Sequence, residues 1–153
     1  LTKIENSEFS EVTQYKLSEN LNKLIEESRE LVELKEIKMT SEIKNSIEVK
    51  IDPTLAEILF SNLYQNAIKH NVENGIIKII LTERSFIIEN SGEPPKDSPS
   101  LFFERFKKNN QSSESLGLGL SIVKKICDIS NLDISYKYDK TAGLHKIEIV
   151  LQS

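Results

Sequence analysis

Between Leu17 and about Ile37 the apolar residues Leu17, Leu21, Leu24, Ile25, Leu31 and Val32 recur at helical spacing among charged neighbours. This pattern predicts one long amphipathic helix with Ser18 as its N-cap. The period then changes to two: Ile47, Val49 and Ile51 alternate with polar residues in SIEVKID, as one face of a half-buried strand does. Pro53 suits the first turn of a second helix running to about Asn71. NGIIKIILT and SFIIEN read as two more strands joined by the polar link Glu83 to Ser85, and LDISYKY and LHKIEIVLQ flank Ala142 and Gly143 as a closing hairpin. Between these strands, Leu118, Ile122, Ile126 and Ile129 form another helical stripe, with Ser121, Lys124, Lys125 and Asp128 on a different side. Strands precede and follow helices without regular alternation, which favours α+β over a doubly wound sheet.

Ser91 to Ser115 breaks the periodicity. It holds three of the four prolines, many serines and asparagines, and one apolar island, LFFERF. Loops of this length are uncommon inside compact domains and often cover a binding site. The length of 153 residues, 38% apolar and 29% charged, is that of one globular domain. Twenty basic against 24 acidic residues, a net charge of −4, give no overall attraction for nucleic acid or anionic lipid, so no nucleic-acid partner is expected. The single cysteine, Cys127, lies between Ile126 and Ile129, cannot form an internal disulfide, and reads as buried filling in a reducing compartment. No apolar run approaches the roughly 18 residues that span a bilayer, and the first residues show no signal-peptide pattern. The chain as given is expected to be soluble and cytoplasmic. Its start at LTKIEN, without methionine, fits a piece of a longer protein whose membrane attachment stays open.

Two features carry candidate chemistry. At 100° per residue, Asn66 falls in the angular sector of Leu55 and Leu59, so an asparagine occupies a core-facing position on the second helix. A buried amide without partners costs about 1 to 3 kcal/mol, so Asn66 must bond inside the fold or face a polar cavity. Asn62 lies one turn before it, and Lys69 and His70 one turn after. Such a stripe suits a nucleotide phosphate with its metal, since an amide carbonyl is a hard oxygen ligand and Mg²⁺ takes only one or two protein oxygens. A satisfied polar patch at a helix end explains the stripe equally well. The second feature is SLGLGLSIV, where Gly117 and Gly119 stand at the mouth of the last helix. A glycine inside a helix costs about 1 kcal/mol relative to alanine. At the mouth it lets an anion approach unpaired N–H groups, or it merely shapes the turn.

Taken in order, NLYQNAIKHN, IIENSGEPP, LFFERFKK and SLGLGLSIVKKI resemble the N box, first glycine box, F box and second glycine box of the histidine kinase catalytic and ATP-binding domain. The resemblance covers about Phe9 to Leu151, and LTKIEN resembles the end of the preceding dimerisation helix. It implies residues 1–8 as helix end or linker, 9–153 as catalytic domain and about 91–116 as an ATP lid. The implied fold is the Bergerat α/β sandwich, with helices layered on one face of a mixed, mostly antiparallel sheet. By position, Asn66 resembles the Mg²⁺ ligand, Asn62 its companion, Lys69 the cation beside the phosphates and His70 a residue lining the nucleotide. Gly92 keeps a family glycine, while Leu116, Gly117, Leu118, Gly119 and Leu120 resemble the segment that folds over the triphosphate. Asn90 stands where an aspartate usually receives the adenine amino group; its carbonyl can still accept that bond, without a carboxylate's charge. Pro94 and Ser115 replace family glycines. Lys108 falls near a lid position where an arginine is common, giving charge without the bidentate fork. Phe103 and Phe106 resemble lid anchors.

Relatives that hydrolyse ATP carry a glutamate where this chain has Asn62, and an amide cannot act as a general base near neutral pH. Transfer to an external nucleophile follows. Neither His70 nor His145 resembles a phosphoacceptor, and His145, alternating with Ile147 and Ile149, reads as a packed or edge histidine. The resemblance therefore implies a sensor histidine kinase domain that uses ATP and Mg²⁺. Its expected partners are a dimerisation domain carrying the acceptor histidine and a response regulator. A degenerate nucleotide sensor and an anti-sigma-type serine kinase are the alternatives.

Overall fold

The structure, a computed structural model, describes residues 11–95 and 119–151. The expectations for residues 1–8, Phe103, Phe106, Lys108, Ser115, Leu116, Gly117 and Leu118, and for most of the lid, lie outside the described residues. In chain order the elements are β1 (Thr13–Lys16), α1 (Leu17–Glu27), α2 (Arg29–Leu34), β2 (Lys38–Ile43), β3 (Glu48–Ile51), α3 (Pro53–Lys69), β4 (Ile76–Leu81), β5 (Ser85–Ser91), α4 (Gly119–Ile129), β6 (Asp133–Asp139) and β7 (Leu144–Val150). β1 and β3 form a two-stranded antiparallel sheet. The main sheet has the order β2-β4-β5-β7-β6, parallel only between β2 and β4. This is the mixed, mostly antiparallel α+β arrangement expected. Ser91 closes β5 rather than opening the loop.

The helix expected over 17–37 is two helices that meet at Ser28. Ser28 Oγ donates to Ile25 O at 3.1 Å, so its only hydrogen is used and the Tyr64 hydroxyl donates to Oγ at 2.5 Å. Such side-chain bonds to the preceding turn compete with the helical ladder and bend it. The bend turns Val32 and Ile37 into the core. α2 ends with Glu36 at φ 57°, Ile37 N–H donating to Val32 O and Glu36 N–H to Glu33 O, the paired bonds of a Schellman cap. Asn131, at φ 58°, closes α4 in the same way.

Ser18 is not the N-cap of α1. That position is Lys16, which makes no side-chain cap bond. Ser18 is buried within the first turn, where its Oγ donates to Lys44 O at 2.5 Å and accepts from Ile47 N–H at 2.8 Å. Its own N–H, an orphan of the first turn, donates to Ile47 O at 3.3 Å. α3 carries the cap that Ser18 lacks: Asp52 Oδ1 accepts from Thr54 N–H and Leu55 N–H ahead of Pro53 in the first turn.

Register sets three rows across the face of the sheet that carries the core. They are Ile43–Leu81–Phe86–Ile149–Ile134, Ser41–Ile79–Ile88–Ile147–Tyr136 and Met39–Ile77–Asn90–His145–Tyr138. α3 lies over this face, with Phe60 meeting Phe86 edge-on at 5.1 Å between ring centres, and α4 packs beside α3 and β6. The buried side of α4 is Leu120, Ser121, Val123, Ile126 and Cys127, whereas Ile129 is 38% exposed. Of the expected stripe, Ile126 is buried and Ile122 packs against the core, but Ile129 does not, and Leu132 beyond the Schellman turn is buried in its place; Ser121, expected on the polar side, is buried.

Candidate nucleotide-binding site

Two rows of the covered face are largely apolar, and the third is polar from the central strand to the β6 edge, at Asn90, His145 and Tyr138. The C-terminal end of α3 lies against that third row. A Cβ on Gly92 would stand 2.8 Å from His145 Cδ2 and 3.1 Å from the His70 carbonyl oxygen, so glycine is required where the chain leaves β5 between ring and helix end. The Gly92 predicted for nucleotide binding therefore serves first as the close-packed joint between α3 and the sheet.

Among the described residues, two buried side-chain nitrogen atoms have no hydrogen-bond partner: Asn66 Nδ2 and His70 Nε2. Both lie on the last turn and C-cap of α3, and His70 N–H donates to Asn66 O at 3.0 Å. Native proteins leave very few buried polar atoms unpaired, since each costs about 1 to 3 kcal/mol. Here two fall within one turn of one helix end. Asn62 is half-buried one turn earlier, and Lys69 is exposed in the last turn, where the helix dipole favours a cation. Asn90 is half-buried, and its Nδ2 donates to Ser91 O at 2.9 Å. Gly119 opens α4, and the Leu120 side chain belongs to the core. The structure thus brings Asn66, His70, Asn90 and Gly92 to one end of the sheet.

Sequence reasoning gave no role to Tyr136 and Tyr138. Both stand on the core-facing side of β6, and His145 Nδ1 and the Tyr136 hydroxyl are 2.5 Å apart. The available signal was their alternation with charged residues opposite a histidine-bearing strand. Burial, then Lys69 and His145, holds His70 below its ordinary pKa of 6.5. Burial also lowers His145, partly offset by its bond to the Glu93 carbonyl. A base depressed in the folded state binds fewer protons than in the unfolded state, so its stabilising contribution is complete above about pH 6.5 and is lost as pH falls through the folded value. The melting temperature is expected to fall between about pH 7.5 and pH 5.5, a window above ordinary carboxylate titration. The slope should flatten in the His70→Gln, His145→Gln double variant. Calorimetry across that range checks it.

The family model described as "Histidine kinase-, DNA gyrase B-, and HSP90-like ATPase" matches residues 51–152, two thirds of the chain. The chain belongs to this family. The sensor protein QseC of Salmonella typhi is 30% identical over 99 residues, covering 62% of this chain and 22% of that protein. The signal transduction histidine-protein kinase ArlS of Staphylococcus aureus (strain USA300) is 33% identical over 107 residues, covering 64% of this chain and 24% of that protein. This chain thus spans less than a quarter of the length of these curated relatives. Among solved structures, the catalytic domain of histidine kinase ThkA superposes with a TM-score of 0.72 at 28% identity, over 92% of this chain and 96% of that one. ThkA has also been solved in complex with the response regulator protein TrrA. The domain is a catalytic ATPase domain of the histidine kinase type with the Bergerat fold, which implies that it binds ATP. Among the described residues, no helix is long and apolar enough to cross a membrane.

Proposed function

We propose that this domain binds ATP with Mg²⁺ at the polar end of its sheet and passes the γ-phosphate to a histidine on a dimerisation domain of the same kinase, from which a response regulator receives it. The observation that carries this reading is the pair of unpartnered buried atoms, Asn66 Nδ2 and His70 Nε2, at the end of α3. A carboxamide turned by 180° exchanges nitrogen for oxygen, so the same position at the end of α3 presents Asn66 Oδ1 to a cation. Among the described residues no group of three His, Cys, Asp or Glu side chains could hold a metal ion, so a cation at this end would rest on amide, phosphate and water oxygens, the preference of Mg²⁺. When bound, Mg²⁺ supplies positive charge against the triphosphate.

Asn66 and its companion Asn62 hold the metal end of the nucleotide. Lys69 contributes charge beside the phosphates, and neutral His70 donates or accepts one hydrogen bond through Nε2. Asn90 receives the adenine amino group on Oδ1. Lys108, Leu116, Gly117, Leu118, Gly119 and Leu120 are assigned to the phosphates on the sequence resemblance, their work being positioning and charge neutralisation. His145 is buried with both ring nitrogens engaged and His70 lies in the nucleotide site, so neither is read as the acceptor. On incubation with γ-labelled ATP and an acceptor domain supplied in trans, the acceptor is expected to carry an acid-labile, base-stable phosphoryl group. Acid-stable label on serine would instead establish a serine kinase. Nucleotide binding without any label would reduce the domain to a sensor.

A further inference from the structure

His145 is the most enclosed titratable side chain at this end of the fold, 7% exposed. Its Nε2 lies 2.8 Å from Glu93 O, and a carbonyl oxygen can only accept, so Nε2 carries the hydrogen. In a neutral ring Nδ1 is then bare and accepts from the Tyr136 hydroxyl, 2.5 Å away. The Tyr138 ring leans on the imidazole at 4.7 Å between centres, and its hydroxyl donates to Gly92 O at 3.4 Å. One side chain therefore joins β6 and β7 to the two residues at which the chain leaves β5. Those residues are also held from the other sides. Gly92 N–H donates to Gly143 O at 3.2 Å, and the His70 carbonyl blocks any Cβ there. Asn90, two residues before Gly92, is the cross-strand partner of His145.

We infer that His145 is a positioning residue for the nucleotide: as the Nε2–H tautomer it pins the Glu93 carbonyl and so fixes the exit of β5 that carries Asn90 and Gly92 beneath the end of α3. The inference rests on the ATP-binding reading above and extends it to a side chain that touches no nucleotide. Two substitutions separate the two ring bonds. Glutamine places an amide N–H where Nε2 stands and keeps the bond to Glu93, whereas asparagine is too short for that and offers only an acceptor near Tyr136.

For a non-hydrolysable ATP analogue titrated by calorimetry, His145→Asn is expected to weaken binding about tenfold, and His145→Gln to recover most of that loss. In phosphotransfer assays the Asn variant should raise KM for ATP while kcat stays near the native value. Equal affinities in both variants and the native chain would overturn the assignment of His145 while leaving ATP binding intact. Equal losses in both variants, accompanied by equal falls in melting temperature, would also overturn it, as the mark of packing alone. A native chain with no affinity for the analogue removes both readings together. Nitrogen-detected NMR of the ligand-free chain adds a test independent of any variant: Nε2 should be protonated and Nδ1 bare, and the opposite tautomer sinks the inference.

Discussion

Asn66→Ala is expected to lower affinity for a non-hydrolysable ATP analogue about a hundredfold in the presence of Mg²⁺, a loss near 2.7 kcal/mol. Without Mg²⁺ the native chain and the variant should bind almost alike, because the amide oxygen acts on the cation rather than on the base. Calorimetric titration under both conditions reads the difference directly. The same variant should leave the ligand-free fold intact or slightly firmer, since Asn66 Nδ2 has no protein partner to lose and its removal relieves an unpaired buried group. Binding and stability thus move in opposite directions at one residue. An Asn66→Ala chain that unfolds, or that keeps its Mg²⁺-dependent affinity, would contradict the role given to this side chain.

Phe86→Ala is the core change with the largest expected cost, about 3 to 5 kcal/mol. Phe86 is 1% exposed on the central strand of the main sheet and meets Phe60 of α3 edge-on. Alanine removes the ring contact as well as the buried area, and leaves a cavity between sheet and helix that rigid neighbours cannot fill. Against a typical total of about 5 to 15 kcal/mol, this would leave a marginal domain. Urea titration should show a lower midpoint at nearly unchanged slope. Leu34→Ala, at a side chain 79% exposed, should change stability by less than about 0.5 kcal/mol.

The elements legible in the sequence were those with strong periodicity or punctuation. β4, β5 and the closing hairpin carry alternating or continuous β-branched runs, and α3 begins on Asp52 and Pro53, both visible as start signals. β1 and β2 escaped notice because TQYK and KMTSEI have one or two apolar residues each, and these strands owe their form to pairing with β3 and β4. The break at Ser28 was hidden for a related reason: the helical spacing of Leu24, Ile25, Leu31 and Val32 continues across it, and Ser28 Oγ, bonded to the preceding turn at Ile25 O, also meets Tyr64, distant in sequence. Ser18 misled as a cap because a serine near a helix start has the same composition whether it bonds its own turn or another loop. At the site, Asn66 was legible as an amide in an apolar sector. His145 was legible as a packed histidine but its partners were not, because its two bonds depend on a register that joins β6, β7 and the end of β5.

α3 is the principal helix of the stretch linking two adjacent parallel strands, β2 and β4, and the same helix bears Asn66 and His70. A ligand gripped there therefore holds a span of chain whose two ends are already stitched together in the sheet, and its affinity is felt by the entire cooperative unit. Saturation should register as protection of the whole domain against denaturation, about 2.7 kcal/mol at a hundredfold excess over Kd, rather than as the quieting of a single loop.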